Sequence, residues 1–375
     1  CVKRCIAQDG ARAVAQIVKV SDAGQDPKND YAIFSLSMAL KLGDEATRKL
    51  AATAVPKVCR TGTHLMQLAD AVKSFGGWGR VTTRAFANWF NEQKSDEVAY
   101  QAIKYQSREG WSMKDLLVKS HAGASAPSAA HKALFSWIAH DGSLDARKIV
   151  RKEKVQGKVV EASFDYAAES REALPSIVEG FEKAKAVTSA KDVVKLITEY
   201  NLPRECIPTQ HLNSVEVWDA LLHAGKFGMP LAALVRNLGK MSSIGLVAPG
   251  SEAAKYVVKR LSDGEGIRHA RVHPMSILIA QRVYMQGRGV KGDLSWTTVK
   301  PIVDALDGIN VGGESGEDRT LITGPGADFE DAVVRFDGEL LGHVGDDVGL
   351  ADGLAGGDGE GAVFVGRCTQ VGRDE

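Results

Sequence analysis

Disulfide partners are the first thing missing from this 375-residue chain. Its five cysteines, at positions 1, 5, 59, 206 and 368, are odd in number and widely spaced. That argues against a disulfide framework and makes reduced cytoplasm the expected setting. No stretch approaches the roughly 20 consecutive apolar residues that span a bilayer. The first residues carry Lys3, Arg4, Asp9 and Arg12 in place of the apolar run of a signal peptide. A first residue of Cys rather than Met fits a fragment without its true beginning. Nucleotide cradles are missing too: there is neither a Gly-Lys-Ser/Thr loop nor a strand leading into G-x-G-x-x-G. No His/Cys cluster has zinc spacing, and Cys1 with Cys5 finds no matching pair downstream. His131 and His140 need not face one site. Asp141-Gly142-Ser143-Leu144-Asp145 has the look of a metal-binding run, yet a turn leading into a helix start fits it better. A G-x-S-x-G nucleophile elbow is absent as well. Catalysis has no positive support, so the chain is expected to be no enzyme and to need neither metal nor cofactor.

What is present is a charge asymmetry that the neutral total hides. Residues 308–375 hold 15 Asp and Glu against 4 Arg and no Lys, and the 307 residues before them are left with a net charge of +11. A basic body of this kind can attract a polyanion, although the same excess occurs in proteins that bind none. The acidic end also contains 17 Gly, a density that costs backbone entropy on folding. Two readings stay open for it: a disordered acidic tail, or a segment translated out of frame.

The basic body reads as helix after helix. Leu65, Leu68, Ala69, Val72 and Phe75 recur at the spacing of one helical face. Another helix starts near Ser189, with Asp192 three residues on as an N-terminal signal. Val193, Val194, Leu196, Ile197 and Tyr200 supply its apolar face, and Leu202-Pro203 closes it. Pro230 and Pro274 stand where a first turn tolerates proline, each ahead of an apolar run. Alternating strand patterns are scarce and loops are short, so an all-α stack of helical pairs is expected. No strict sequence period supports a solenoid by itself.

Basic residues keep informative company at two places. In Lys104-Tyr105-Gln106-Ser107-Arg108-Glu109-Gly110-Trp111 two cations lie four apart, as on one helical face just before a Gly. Lys114, Lys119 and His121 then flank an apolar strip around Leu117. Such a corner suits an RNA backbone, whose phosphates accept from Lys and Arg. A solvated helix face explains the charge spacing at least as well. In Arg236-Asn237-Leu238-Gly239-Lys240-Met241, Gly239 reads as a helix stop, and Arg236 and Lys240 complement the end of the helix dipole.

These same stretches resemble the TROVE module of the Ro ribonucleoprotein autoantigen family. Val58-Cys59-Arg60-Thr61-Gly62-Thr63-His64-Leu65, Trp78-Gly79-Arg80, Asn88-Trp89-Phe90-Asn91-Glu92 and Lys104 through His121 look like its consecutive signatures. Thr209-Gln210-His211-Leu212, Val217-Trp218, Arg236 to Met241, His273-Pro274, Ser295-Trp296 and Ile302 to Asp307 keep the family's order. The resemblance covers nearly all of residues 1–307.

It implies a HEAT-like helical-repeat solenoid curved into a ring. It also implies a ribonucleoprotein role: small Y-like RNA on the outer surface, single-stranded 3′ ends of misfolded RNA in a central hole. Such a protein is a scaffold of non-coding RNA quality control, and an exonuclease is a further expected partner. Lys104, Arg108 and His121 occupy the positions of the family's outer site. Arg80, Arg84, His211, Arg236 and Lys240 lie in matching motifs as weaker candidates. After Asp307 neither the Asp-x-Ser-x-Ser motif nor the strand–helix alternation of the family's von Willebrand factor A domain follows. Magnesium binding is therefore not carried over, and how the ring closes is left open. The alternative function is a helical-repeat protein–protein scaffold that has lost RNA binding.

Overall fold

Helix starts in this chain are written in serine, threonine and aspartate. The structure, a computed structural model, describes residues 1–311 except 24–27, 156–157, 226–227, 291 and 293; of 147–155, 158–166 and 310–311 it describes the backbone alone. These residues all fall in one unit, Cys1–Arg319. The expectations for the acidic end therefore lie, from residue 312 on, outside the described residues.

Among the described residues there are seventeen α-helices. The first seven are α1 (Val2–Gln8), α2 (Gly10–Ala23), α3 (Asp30–Leu42), α4 (Glu45–Val58), α5 (Gly62–Ser74), α6 (Arg80–Glu92) and α7 (Ser95–Lys104). A short hairpin, β1 (Ser107–Arg108) with β2 (Trp111–Ser112), leads into α8 (Met113–Ser120) and α9 (Ala129–Ala139). A longer one, β3 (Arg147–Val155) with β4 (Lys158–Tyr166), follows. Then come α10 (Ser176–Ala186), α11 (Ala190–Tyr200), α12 (Val215–His223), α13 (Leu231–Ser243) and α14 (Glu252–Leu261). The last are α15 (Gly264–Ala270), α16 (Pro274–Met285) and α17 (Lys300–Val311), which runs past the expected boundary at residue 307.

Side-chain caps set many of these starts, because the first turn of a helix leaves backbone N–H groups without partners. Asp44, Thr61, Ser112, Ser128, Ser189, Ser214, Ser251 and Asp263 each accept one such N–H. The Ser189–Asp192 start is where the sequence placed it, and Val193, Leu196, Ile197 and Tyr200 form the buried face of α11. Helices pack on their near neighbours along the chain: α2 on α3 and α4, α3 on α4 and α5, and later α13 on α14, α15 and α16. That pattern makes a stack of helical pairs with a continuous core. Arg271, the left-handed cap of α15, donates to the backbone carbonyl of Asp22 at 2.9 Å and pairs with its carboxylate. The array thereby returns to its own second helix, as the expected ring requires.

Two local readings are corrected. Gly239 is not a helix stop; α13 continues through it to Ser243. It is glycine because the Trp296 ring lies against the backbone there, and a Cβ would meet that ring at 2.8 Å. Asp141 to Asp145 is a turn, as expected, but it leads into β3 rather than a helix. The nine-residue strands β3 and β4 pair antiparallel from Arg147↔Tyr166 to Val155↔Lys158, an element the sequence reading missed. Lys and Glu interrupt the apolar alternation there and hide the strand signal carried by Val, Ile, Phe and Tyr.

Tryptophans tie the layers together, two of them buried and Trp296 half-buried. The indole N–H groups of Trp89, Trp218 and Trp296 donate to the carbonyls of Cys59, Leu212 and Tyr284 at 2.6, 2.8 and 2.9 Å. Burial also governs the thiols. It raises the Cys59 thiol strongly and pushes Cys206 up to about 12, so both stay protonated and unreactive at neutral pH. Maleimide applied to the native protein is expected to label exposed Cys5 and to spare Cys59 and Cys206 until the chain is denatured. Native labelling of Cys59, read by peptide mass spectrometry, would contradict this packing.

Candidate nucleic-acid interface

Helix α7 stops at Lys104, and its cap Tyr105 donates its N–H to the Gln101 carbonyl. The Lys104 ammonium donates to Tyr100 Oη at 3.2 Å and lies 5.3 and 5.4 Å from the ring centroids of Tyr100 and Tyr105. Burial pushes the Tyr100 phenol up to about 12, with the Glu205 carboxylate acting in the same direction, and burial raises Tyr105 as well. Both phenols are therefore neutral at physiological pH and offer ring faces to the cation.

The next residues leave the helix. Glu109 and Gly110 have φ of 52° and 69°, the positive values that a type I′ hairpin needs at both central positions. They turn β1 back on β2, with Arg108 opposite Trp111 and Ser107 opposite Ser112. The expected shared helical face of Lys104 and Arg108 is corrected accordingly: one ends a helix, the other stands on a strand. Directly opposed residues of an antiparallel pair put their side chains on one face, so Arg108 stands beside Trp111.

Ser112 then caps α8 in a box with Asp115: Ser112 Oγ accepts from the Asp115 N–H at 3.1 Å, and Asp115 Oδ2 accepts from the Ser112 N–H at 2.9 Å. On α8 the two lysines have different surroundings. Lys114 is paired with Asp141 at 2.6 Å, which ties the helix to the turn after α9. Lys119 lies over two rings, 5.6 Å from Trp78 and 5.7 Å from Trp111. His121 follows as the left-handed cap of α8, with φ 57° and ψ 26°, and is exposed. Histidine is among the few non-glycine types enriched in that conformation.

Arg80 and Arg84 lie one turn apart on α6, and both are exposed. Arg80 opens the helix after Gly79, which supplies no side-chain cap. A cation at that positive end of the dipole costs roughly 0.3–1 kcal/mol, so helix stability does not explain its presence.

The remaining candidates are placed differently. His211 is buried at 7% exposure, its Nε2 3.4 Å from the Val187 carbonyl oxygen and 3.2 Å from Gln210 Nε2. Its ring is enclosed among other segments of the fold, unlike the exposed candidates. Lys240 donates to Asn213 Oδ1 at 2.7 Å and so braces α13 against the turn before α12. Arg236 is exposed on α13. His131 is buried too, with its ring nitrogens 2.8 Å from Ser128 Oγ and 2.9 Å from the Gln93 carbonyl oxygen. Of the candidates before residue 122, Arg80, Arg84 and His121 are exposed and Lys104 and Arg108 are half-buried, while the later ones belong to the α12–α13 region. Among the described residues no group of three or more His, Cys, Asp or Glu side chains is placed to hold a metal ion, and no helix is long and apolar enough to cross a membrane.

The chain is similar to known proteins in both sequence and structure. The TROVE domain family matches residues 7–291. The RNA-binding protein RO60 of Deinococcus radiodurans is 32% identical over 308 residues, which are 82% of this chain and 52% of that protein. The RNA-binding protein RO60 of Caenorhabditis elegans is 31% identical over 351 residues, covering 80% of this chain and 53% of the relative. The crystal structure of the Deinococcus radiodurans RO (RSR) protein superposes with a TM-score of 0.61 at 32% identity, over 82% of this chain and 56% of that one. The chain thus spans about half the length of the curated relatives it matches.

Proposed function

Since the chain belongs to the TROVE domain family of Ro proteins, we propose that it is an RNA-binding protein that acts as a scaffold rather than an enzyme. The observation that carries this reading is the corner made by the end of α7, the β1–β2 hairpin and the cap of α8. There a helix end, a positive-φ turn and a left-handed cap present Lys104, Arg108 and His121 in succession. Arg80 and Arg84 on α6 extend the basic surface, and exposed Arg236 on α13 is a separate, weaker contact. His211 and Lys240 serve the fold. The ligand is a small structured RNA of Y type, bound on this outer face. Single-stranded 3′ ends of misfolded RNA are the second substrate, and an exonuclease working on them is the protein partner. Cytoplasm is the compartment where such a scaffold meets non-coding RNA.

A synthetic hairpin RNA with an internal loop tests the reading with the full chain. Affinity is expected to fall linearly with the logarithm of salt concentration, because each cation–phosphate contact releases counterions. Binding that is undetectable at low salt, or unaffected by salt, overturns it. The alternative of a protein scaffold draws on the outer side of α3, where Tyr31 and Phe34 are 70% and 49% exposed. It would be favoured by the first of those results.

A further inference from the structure

We propose that Lys119 is a phosphate-binding residue of the RNA site, and that Trp78 and Trp111 act as positioning residues which hold its ammonium in place. The inference rests on the RNA-binding reading above and extends it to residues that the family resemblance did not single out as contacts.

The first argument is the contrast between two lysines on one helix. Lys114 is neutralised by Asp141 at 2.6 Å. Lys119 has no carboxylate partner among the described residues. Asp115, one turn before it on α8, is engaged in the capping box with Ser112. The Lys119 ammonium instead rests on indole faces, 5.6 Å from Trp78 and 5.7 Å from Trp111. Ring faces attract a cation without offering it a hydrogen-bond acceptor, so its three N–H donors are left for a ligand or water. A lysine laid across rings has also lost much of its rotamer freedom before any ligand arrives.

The second argument is how the rings are set. Trp78 and Trp111 have centroids 6.0 Å apart, and Trp78 is backed by the buried Phe86 at 4.3 Å. Trp89, Trp137, Trp218 and Trp296 each donate their indole N–H to an acceptor in the fold. Trp78 does not: its Nε1 is buried with no acceptor among the described residues. Hydrogen bonding therefore does not explain a tryptophan at this position, and its ring does. Trp111 is the cross-strand partner of Arg108, and Lys119 lies two residues before His121. Lys119 thus bridges two members of the candidate site that the sequence separates by 13 positions.

The test measures affinity of the full chain for the same hairpin RNA across a range of salt, with melting temperature measured on each preparation. Lys119→Ala is expected to weaken binding about tenfold at low salt and to flatten the salt slope by roughly 0.9, the contribution of one phosphate contact on duplex nucleic acid. Lys114→Ala on the same helix is the control, and its slope is expected to match wild type. Trp111→Phe should retain binding, and Trp111→Leu should weaken it by no more than Lys119→Ala does. The Lys119→Ala/Trp111→Leu double variant should bind no worse than Lys119→Ala alone, since removing the positioned group abolishes the effect of its support. Equal effects of Lys119→Ala and Lys114→Ala overturn the phosphate contact, and additive losses in the double variant overturn the positioning role. Wild-type protein that binds no RNA overturns the functional reading itself, a result distinct from either.

Discussion

Replacing Lys104 and Arg108 together by Ala is expected to weaken binding of structured RNA by more than tenfold at low salt and to flatten the salt slope by about two units, roughly 0.9 for each lost phosphate contact. Charge-assisted hydrogen bonds contribute about 1.5–3 kcal/mol each, so losing two gives a large effect. The tyrosines around Lys104 support this assignment. Their phenols are held neutral by burial, so they steer the ammonium without cancelling its charge. Arg108 is carried by a two-residue strand whose turn is fixed by positive φ at Glu109 and Gly110. His121→Asn should weaken binding with a smaller change in slope, because an imidazole contributes mainly hydrogen bonding and stacking. Asn is the better substitution than Ser at this cap, since it tolerates the left-handed backbone that His121 adopts. If these residues only brace helix ends, the outcome reverses: the variants melt earlier while affinity and slope match wild type. Measuring both on one preparation separates the two.

Helix positions were legible in the sequence wherever the deciding contact is local. Ser189 with Asp192 marks the start of α11 because the cap and its N–H lie three residues apart. Gly239 was misread because the reason for it, the Trp296 ring, comes 57 positions later, and glycine alone gives the same signal at a helix end. The spacing of Lys104 and Arg108 was likewise ambiguous. Four residues apart is the period of a helix, and only the backbone at Glu109 and Gly110 shows that the chain has turned. Motif membership gives residue type without exposure, so the sequence alone does not separate enclosed His211 from exposed candidates such as Arg80 and Arg84. Lys119 stayed among the flanking charges for a related reason. Whether a lysine faces a carboxylate or two rings depends on Asp141, Trp78 and Trp111, and no local pattern connects them.

Trp89→Ala is expected to be the most destabilising single change among these motifs, lowering stability by about 3–5 kcal/mol, the usual cost of emptying a buried aromatic site. Trp89 is 1% exposed on α6 and packs edge-on to Phe90 at 5.2 Å. Its indole donates to the Cys59 carbonyl at 2.6 Å and so pins the turn between α4 and α5 to the middle of the stack. Losing the side chain leaves a cavity and an unpaired carbonyl at once. For a domain of this size the melting temperature should fall by on the order of 10 °C. Trp89→Phe separates the two contributions: it fills most of the volume but orphans the carbonyl, at a cost of about 1–3 kcal/mol. Neither change touches an exposed cation, so the folded Trp89→Phe protein should keep the wild-type salt slope for RNA. A Trp89→Ala protein that melts within a degree or two of wild type would show that the Cys59 turn is held some other way. A changed slope in Trp89→Phe would move the Asn88-to-Glu92 motif from the scaffold to the RNA surface. The geometry places it in the scaffold, where an indole buried against a carbonyl has no face left for a ligand.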